Sequence, residues 1–260
     1  MMNPVFKPEY ADIIKSFIKS KINEAEVKGV VIGLSGGLDS AVTTKLCADI
    51  LGKEKVSCLL LPTENTPKED MEDAVEFAKK IGVKYKIINI SEIVNGFISN
   101  IPCKMRKKEI GNIHARTRMI VLYYFANKNN YLVVGSGNKT EFLMGYFTKH
   151  GDGGCDIMPL ADLYKTQIRE LAKHLKIPEK IINKTPRAGL WKGQTDESEL
   201  GIKYDALDKI LYGMEKGLKN NEIAKSLDIP VSEIKRIKNI VSSTKHKRKM
   251  PEMARIEQQS

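Results

Sequence analysis

The sequence lacks the features of membrane, secreted and zinc-binding proteins. No apolar run approaches the roughly 20 residues that a membrane-spanning helix needs, and the opening stretch MMNPVFKPEYADIIKSF has no apolar centre like that of a signal peptide. Only four cysteines are present, Cys47, Cys58, Cys103 and Cys155, and no CxxC pair occurs, so neither a zinc site nor a disulfide framework is expected. We therefore expect a soluble, cytoplasmic protein with no membrane association, in which Cys47 and Cys58 are buried core residues.

Acidic residues are the scarcer charged class. The chain has 43 Lys and Arg against 32 Asp and Glu, which gives a formal net charge of +11. An excess of this size is typical of proteins that bind a nucleotide, pyrophosphate or nucleic acid. The alternative is a generally lysine-rich surface, and the even spread of the basic residues along the chain favours it. The one dense basic run is TKHKRKMPEMAR, at residues 244–255.

Four short apolar segments alternate with helical patterns in the first part of the chain. They are GVVIGL, KVSCLLLP, KYKIINI and YLVVGSG, beginning at residues 29, 55, 84 and 131. Such alternation predicts an α/β fold with a doubly wound, mostly parallel sheet and helices on both faces. The third segment alternates lysine with apolar residues, which is typical of a strand near a sheet edge. The rest is mostly helical, so we expect one domain over residues 1–260, with an α/β core over about 12–175 and a helical part over about 176–260.

The segment SGGLDS, at residues 35–40, lies between the first apolar strand and the next helical pattern. In parallel sheets, ligands bind beyond the carboxyl ends of the strands. Glycines let the backbone turn tightly with its N–H groups facing a ligand, and a helix start adds a partial positive charge. The segment is therefore typical of an anion-binding loop, although it is neither a GxxxxGK[ST] loop nor a GxGxxG loop.

Two acidic residues follow strand ends at the same predicted edge of the sheet. Asp39 stands inside the anion-binding loop, where its carboxylate would repel phosphate unless a cation lay between them, so we expect bound Mg²⁺. Glu141 follows the glycine turn of GSGNKTE and would share that ion with Asp39. The alternatives are that Asp39 and Ser40 cap the helix and that Glu141 is an acid of a surface loop.

The loop and the segments that follow it resemble a known family. SGGxDS after an apolar strand resembles the PP-loop of the ATP pyrophosphatases, which have an adenine nucleotide alpha hydrolase-like fold and cleave ATP between its α- and β-phosphates. Later segments narrow the resemblance to the ammonia-dependent NAD synthetases, and it covers about residues 12–251. These segments are, in order, NIHARTRM, GSGNKTEFLMGYFTKHGDGGCDIMPLADLYKTQ, GLWKGQTDESELGIKYDALD and HKRKMP.

The resemblance implies a ligase that forms a carbon–nitrogen bond in the last step of NAD biosynthesis. Deamido-NAD is adenylated by ATP with release of pyrophosphate, and ammonia then displaces AMP to give NAD. The resemblance also implies Mg²⁺, ATP as co-substrate, a homodimer and no covalent nucleophile from the protein. Glutamine-using members carry an additional amidohydrolase domain, for which 260 residues leave no room, so we expect ammonia as the nitrogen donor.

The resemblance assigns individual residues to each ligand. Ser136 stands where the family places a threonine and keeps the hydroxyl, whereas Arg187 departs from the family's usual Ser or Thr. Lys165 matches an ATP-binding lysine, although its position alone indicates an exposed helix residue. Arg and Lys suit the pyrophosphate and carboxylate of deamido-NAD. The implied sets are Gly33, Leu34, Ser35, Gly36, Gly37, Leu38, Asp39, Ser40, Ser136, Lys165 and Arg187 for ATP, Asp39 and Glu141 for the metal, and Arg116, Lys149, Asp156, His246 and Lys247 for deamido-NAD.

Two other functions stay open from the sequence. A PP-loop enzyme that thiolates or lysylates tRNA would suit the positive charge, but it would usually need catalytic cysteines or an RNA-binding appendage. A DNA-binding regulator would suit HKRKMP and the segment NNEIAKSLDIPVSEIKRIKNIV, which is similar to a helix-turn-helix. Two amphipathic helices joined by a turn are far commoner than DNA-binding helix-turn-helix motifs. Both segments also fall inside the synthetase resemblance, so we expect no nucleic-acid partner.

Overall fold

The strand that leads into the glycine-rich loop is an interior strand of the sheet in the computed structural model. This strand, β1 (Gly29–Gly33), pairs in parallel with β2 (Val56–Leu60) on one side and with β4 (Tyr131–Val134) on the other. β3 (Lys84–Ile87) pairs in parallel with β2, so the strand order is β3-β2-β1-β4. The parallel sheet and the edge position of β3 are confirmed. β4 forms the other edge, which its apolar sequence did not indicate.

Helices surround this sheet and fill most of the remaining chain. They are α1 (Glu9–Glu24), α2 (Leu38–Leu51), α3 (Lys68–Ile81), α4 (Ser91–Asn100), α5 (Lys107–Asn129), α6 (Lys139–Met144), α7 (Lys165–His174), α8 (Glu179–Ile182), α9 (Asp196–Leu200), α10 (Tyr204–Glu215), α11 (Asn220–Leu227) and α12 (Val231–Ser243). Helical spacing predicted eight of them, and α2 and α3 end at Gly52 and Gly82 as expected. The sequence pattern did not predict α4, α6, α8 or α9. For α6, α8 and α9 the reason is their length, because a helix of four to six residues has too few turns to show a period.

Side chains of the strands alternate between two apolar layers. Val30 and Ile32 of β1 pack on one face with α1, α2, α3 and α7, while Val31 packs on the other face with α4 and α5. This period of two is that of an extended strand covered on both sides, and it confirms the helices on both faces. Cys47 and Cys58 are fully buried in the first layer, as predicted, and burial raises the pKa of the Cys58 thiol to about 12.

The carboxyl-terminal helices form a second apolar cluster against α6. Tyr204 of α10 is fully buried there beside Met144 of α6, and Ile223 of α11 and Ile237 of α12 turn inward. The apolar faces of α11 and α12 are thus used in packing within the chain. This packing explains the two-helix pattern that is similar to a helix-turn-helix.

The structure describes residues 3–191, 193–254 and 256. None of the helices in these ranges is long and apolar enough to cross a membrane.

Candidate active site

A cleft of about 530 Å³ opens at the carboxyl ends of β1 and β4. Gly33 at the end of β1 and residues 135–137 after β4 line it, and side chains of α5 and of the segment 184–191 form its walls. Both glycine-rich strand ends of the sequence therefore meet in one place. This is the place where parallel sheets bind their ligands.

The glycine-rich loop, residues 35–40, is a compact turn held by its own hydroxyl groups. Ser40 Oγ donates to the Gly37 carbonyl at 3.0 Å and accepts the Ser35 N–H at 3.2 Å. Gly36 has a φ of +79°, and a Cβ there would lie 2.1 Å from the carbonyl oxygen of Asp70, so this position requires glycine. α2 begins within this segment, at Leu38, and directs the positive end of its dipole into the cleft.

The two acids predicted to share a metal ion hold an ammonium group between them. Lys165 Nζ contacts Asp39 Oδ2 and lies 3.5 Å from Glu141 Oε1. The side chains of Lys165, Asp39 and Glu141 are only 4%, 16% and 18% exposed. Lys165 is therefore not the exposed helix residue that its position indicated, and Glu141 is not a free surface acid. Asp39 does not cap α2, whose first turn has no side-chain cap.

Asn138, which was not among the residues predicted from the sequence, connects the two acids through hydrogen bonds. Its side chain is fully buried, and its Nδ2 donates to Asp39 Oδ1 at 3.2 Å. Its Oδ1 accepts the N–H of Glu141 at 2.9 Å, which caps α6. An Asn three residues before a Glu at a helix start is a capping pair, and that signal was present in GSGNKTE.

The charges at this centre favour a cation. Burial raises the pKa of Glu141, the positive charge of Lys165 opposes the rise, and the negative charges of Asp39 and Asp196 add to it. Burial alone would lower the pKa of Lys165, but the attraction of Asp39 and Glu141 outweighs it and raises that pKa. An ammonium group thus occupies the position that a metal ion shared by the two carboxylates would take.

The donor set fits Mg²⁺ held jointly with a phosphate ligand. Carboxylate oxygens are the hard ligands that this ion prefers, and it usually keeps water and substrate phosphate in its remaining positions. Within residues 3–191, 193–254 and 256, no group of three or more His, Cys, Asp and Glu side chains is arranged to hold a metal ion. Asp39 and Glu141 would therefore hold it only together with other oxygen ligands.

Arg187 lies in the cleft wall, but an acid already engages its guanidinium group. Its Nε and Nη2 donate to Asp70 Oδ2 and Oδ1 at 3.1 and 2.7 Å, and these bonds raise the pKa of Arg187. Asp70 is buried in the first turn of α3 and also accepts Lys184 Nζ at 2.9 Å. The implied ATP ligand Arg187 is thus part of an ion-pair network beside the loop, whereas Ser136 lines the cleft directly.

Lys247 lines the cleft, unlike the other residues implied for deamido-NAD. Its Nζ donates to the carbonyl oxygens of Gly145 and Phe147, each at 2.7 Å, and burial lowers its pKa. The neighbouring His246 is exposed on the 3-10 turn Lys245–Arg248. The chain therefore directs Lys247 inward and His246 outward.

The remaining residues implied for deamido-NAD lie outside the lining of the cleft. Arg116 is exposed on α5 and its Nη2 donates to the Lys149 carbonyl at 3.3 Å. The carboxylate of Asp156 accepts the Val133 N–H at 2.7 Å and the Tyr123 hydroxyl at 3.0 Å. The structure does not bring Arg116, Lys149 and Asp156 together with Lys247 around one cavity.

Arg118 also lines the cleft, although it was not among the residues predicted from the sequence. Its Nε donates to the Leu61 carbonyl at 3.1 Å, and its two Nη groups have no hydrogen-bond or ion-pair partner among the described residues. Residues two apart lie on opposite sides of a helix, so Arg116 and Arg118 of NIHARTRM diverge. Ala115 and Leu122 are apolar and lie three residues before and four residues after Arg118. This helical spacing could have identified Arg118 as the inward residue.

Comparison with known proteins gives consistent matches over almost the whole chain. The sequence profile of NAD synthase matches residues 10–251. The NH(3)-dependent NAD(+) synthetase of Thermococcus sibiricus is 47% identical over 247 residues, which cover 94% of this chain and 96% of the relative. The solved NMN synthetase of Francisella tularensis has a TM-score of 0.86 at 35% identity, covering 96% of this chain and 99% of that chain. The NH3-dependent NAD synthetase of Campylobacter jejuni, in complex with the nitrate ion, has a TM-score of 0.82 at 33% identity, covering 96% and 100%.

Lys165→Met tests whether the Lys165 ammonium stabilises the neighbouring carboxylates of Asp39 and Glu141. Removal of the buried ammonium leaves two carboxylates facing each other, so we expect the free energy of unfolding to fall by about 3–5 kcal/mol. Mg²⁺ should raise the unfolding midpoint of the variant more than that of the wild-type protein, because the ion takes the place of the ammonium. The measurement is thermal unfolding with and without Mg²⁺.

Lys173→Met is the matched control, because Lys173 is on the same helix and pairs with Glu170 at the surface. It should change the free energy of unfolding by about 0.5 kcal/mol or less. Equal effects of the two substitutions, with no difference in the response to Mg²⁺, would contradict the assignment.

Proposed function

The chain belongs to the NAD synthase family, and we propose that the cleft at the ends of β1 and β4 is where it performs the family's reaction. That reaction is the ATP-dependent amidation of deamido-NAD to NAD by ammonia, with release of AMP and pyrophosphate. One observation supports this location above the others. The loop at residues 35–40 and the acid pair Asp39 and Glu141 converge on a single cleft from distant parts of the sequence.

The chemistry proceeds in two substitutions. An oxygen of the nicotinate carboxylate attacks the α-phosphorus of ATP, and the bond to the bridging oxygen breaks, so pyrophosphate leaves with the electron pair. Ammonia then attacks the acyl carbon of the adenylate, loses a proton, and AMP leaves as the amide forms. No side chain needs to form a covalent bond, because positioning of the reactants can supply the catalysis.

We assign the phosphates of ATP to the glycine-rich loop. The N–H groups at the start of α2 provide donors without negative charge, and Ser35 and Ser40 hold the turn in shape through the hydrogen bonds of their hydroxyl groups. Ser136 and Lys165 line the same cleft, and the Lys165 ammonium would balance charge that develops on pyrophosphate as it departs. Arg187 forms part of the cleft wall, where its guanidinium group is ion-paired with Asp70.

We propose Mg²⁺ as the metal ion, with Asp39 and Glu141 as its protein ligands. When bound, the ion would neutralise negative charge on the phosphates of ATP. The protein's own contribution is the orientation of the two acids by Asn138. Its side-chain Nδ2 donates to Asp39 Oδ1, and its backbone N–H donates to Glu141 Oε2 at 3.3 Å.

We assign deamido-NAD to the part of the cleft near Lys247 and α5. Lys247 is a cation whose acceptors are backbone carbonyls, so its charge is not neutralised by a neighbouring acid at contact distance. Arg118, on the other wall, likewise bonds only to a carbonyl among the described residues. Both cations suit the anionic groups of the dinucleotide. Arg116, Lys149, Asp156 and His246 stay assigned to deamido-NAD by resemblance.

The function is tested by incubating the purified chain with ATP, Mg²⁺, ammonium and deamido-NAD. We expect equal amounts of NAD, AMP and pyrophosphate, and a rate at fixed total ammonium that rises with pH as the free-base fraction of ammonia grows. Glutamine freed of ammonia should support no turnover. If nicotinate mononucleotide is amidated faster than deamido-NAD, the reaction is instead the one named for the Francisella structure.

Asp39→Asn tests the metal ligand. The substitution keeps the size of the side chain but removes its charge, so we expect turnover to fall about a hundredfold, or ~3 kcal/mol of transition-state stabilisation. Asp49→Asn is the control, because Asp49 is on the same helix and pairs with Lys45 away from the cleft. If turnover of Asp39→Asn is unchanged at saturating Mg²⁺, Asp39 is not a metal ligand and serves only as the ion-pair partner of Lys165.

We further propose that the chain works as one domain, in the cytoplasm, as a homodimer. Met144 and Tyr164 of the first part pack in the carboxyl-terminal cluster, which favours a single domain. The exposed face of α4 and α5, which pack against each other, favours a second copy of the chain as partner. Its large apolar side chains, each 41–59% exposed, are Ile93, Phe97, Ile101, Ile120 and Tyr124.

Sedimentation velocity tests the homodimer. We expect about twice the chain mass of 29.2 kDa for the wild-type protein. Phe97→Glu combined with Tyr124→Glu should give a monomer, because charge on this face opposes its burial. Ile13→Glu, at an exposed apolar position of α1, should leave the dimer intact. A wild-type monomer at all concentrations would contradict the proposal.

A further inference from the structure

Lys184 is a buried lysine beside the glycine-rich loop, and it has no part in the proposed function. It lies between α8 and α9, and its side chain is 8% exposed. Its Nζ lies 2.9 Å from Asp70 Oδ1, contacts Asp73 Oδ2, and donates to the carbonyl oxygen of Gly36 at 3.1 Å. An ammonium group has three donors, so these three acceptors use all of them.

Charge neutralisation does not require Lys184 at this place. Asp70 also accepts both donors of the Arg187 guanidinium, and Asp73 also pairs with Lys180 Nζ at 2.7 Å. Each acid would keep a cationic partner if Lys184 were removed. The bond that no neighbouring cation duplicates is the one to the Gly36 carbonyl.

That bond determines which way one peptide group of the loop faces. The Gly36 carbonyl and the Gly37 N–H belong to one planar trans peptide, in which the two bonds point in opposite directions. Lys184 holds the carbonyl on the side of α3, so the N–H points to the other side of the loop. Gly37 and Ser35, whose Oγ accepts this N–H at 3.2 Å, both line the cleft, and Gly36 does not.

Close packing against α3 also constrains the main chain at Gly36. With a φ of +79°, Gly36 packs so closely on Asp70 that a Cβ would meet its carbonyl oxygen at 2.1 Å. The start of α3 and Lys184 therefore hold this peptide by packing and by a hydrogen bond. Asp70 and Lys184 themselves line the cleft beside the loop.

We propose that Lys184 is a positioning residue for ATP: it fixes the peptide between Gly36 and Gly37, and thereby the Ser35 hydroxyl group that accepts the Gly37 N–H, on the part of the loop that faces the phosphates. The proposal rests on the proposed function, because it takes the phosphates of ATP as the ligand of the loop. Lys184 acts through the backbone and does not touch the phosphates, since its own donors are occupied.

Lys184→Met and Lys180→Met form a matched pair for the test. Both remove a lysine that pairs with Asp73, but only Lys184 bonds to the loop. Binding of ATP and of pyrophosphate is followed by the fluorescence of Trp191, the one tryptophan of the sequence, which lines the cleft. We expect Lys184→Met to weaken both affinities about tenfold and Lys180→Met to leave both within about twofold.

Steady-state kinetics separate positioning from general damage. Lys184→Met should raise the KM for ATP and leave the KM for deamido-NAD unchanged, and Lys184→Arg should recover part of the loss because it keeps a donor for the carbonyl. If Lys184→Met fails to fold, Lys184→Met with Asp73→Asn restores the charge balance and should show the same loss of pyrophosphate affinity.

Two results would overturn the proposal. One is an equal loss of pyrophosphate affinity in Lys184→Met and Lys180→Met, and the other is an unchanged affinity in Lys184→Met together with a lower unfolding midpoint. A wild-type chain that binds ATP and pyrophosphate but makes no NAD would contradict the proposed function alone. The comparison of affinities would still decide the role of Lys184.

Discussion

The site depends on the ammonium of Lys165 lying between the carboxylates of Asp39 and Glu141. All three residues are in the first turn of a helix: Asp39 in α2, Glu141 in α6 and Lys165 in α7. A helix N-terminus favours negative charge, so the two acids are well placed there and a buried lysine is not. The lysine is stable because two acids surround it, and the acids can stay close together because the lysine lies between them.

The sheet brings these three helix starts together. β1 and β4 are adjacent and parallel, so α2 and α6 both begin near one edge. Further along the chain, Ile157 forms a parallel bridge with Val134, and the Leu163 carbonyl accepts a hydrogen bond from the Lys139 N–H. These two contacts place the start of α7 beside the starts of α2 and α6. The helix starts that carry the polar centre are therefore held in place by main-chain bonds.

The parts of the site that sequence predicted are those tied to a strand end. Asp39 and Glu141 each follow an apolar strand and a glycine turn, so the α/β pattern alone puts them at one edge. The burial of Lys165 could not be predicted, because its acid partner Asp39 is 126 residues away along the chain. Lys184 reaches Gly36 over 148 residues in the same way. Neither contact leaves a local pattern, and only the folded sheet creates them.

The long helix α5 carries the cleft on one side and exposed apolar residues on the other. Arg118 and Leu122 face the cleft, while Ile120 and Tyr124, two residues further on in each case, face outward. A single helix of 23 residues, α5, therefore connects the two surfaces. In the proposed homodimer, a ligand that shifts α5 would change the dissociation constant of the dimer, and by thermodynamic linkage dimerisation would change the affinity for that ligand by the same factor. The affinity for nucleotide would then depend on the concentration of the protein itself.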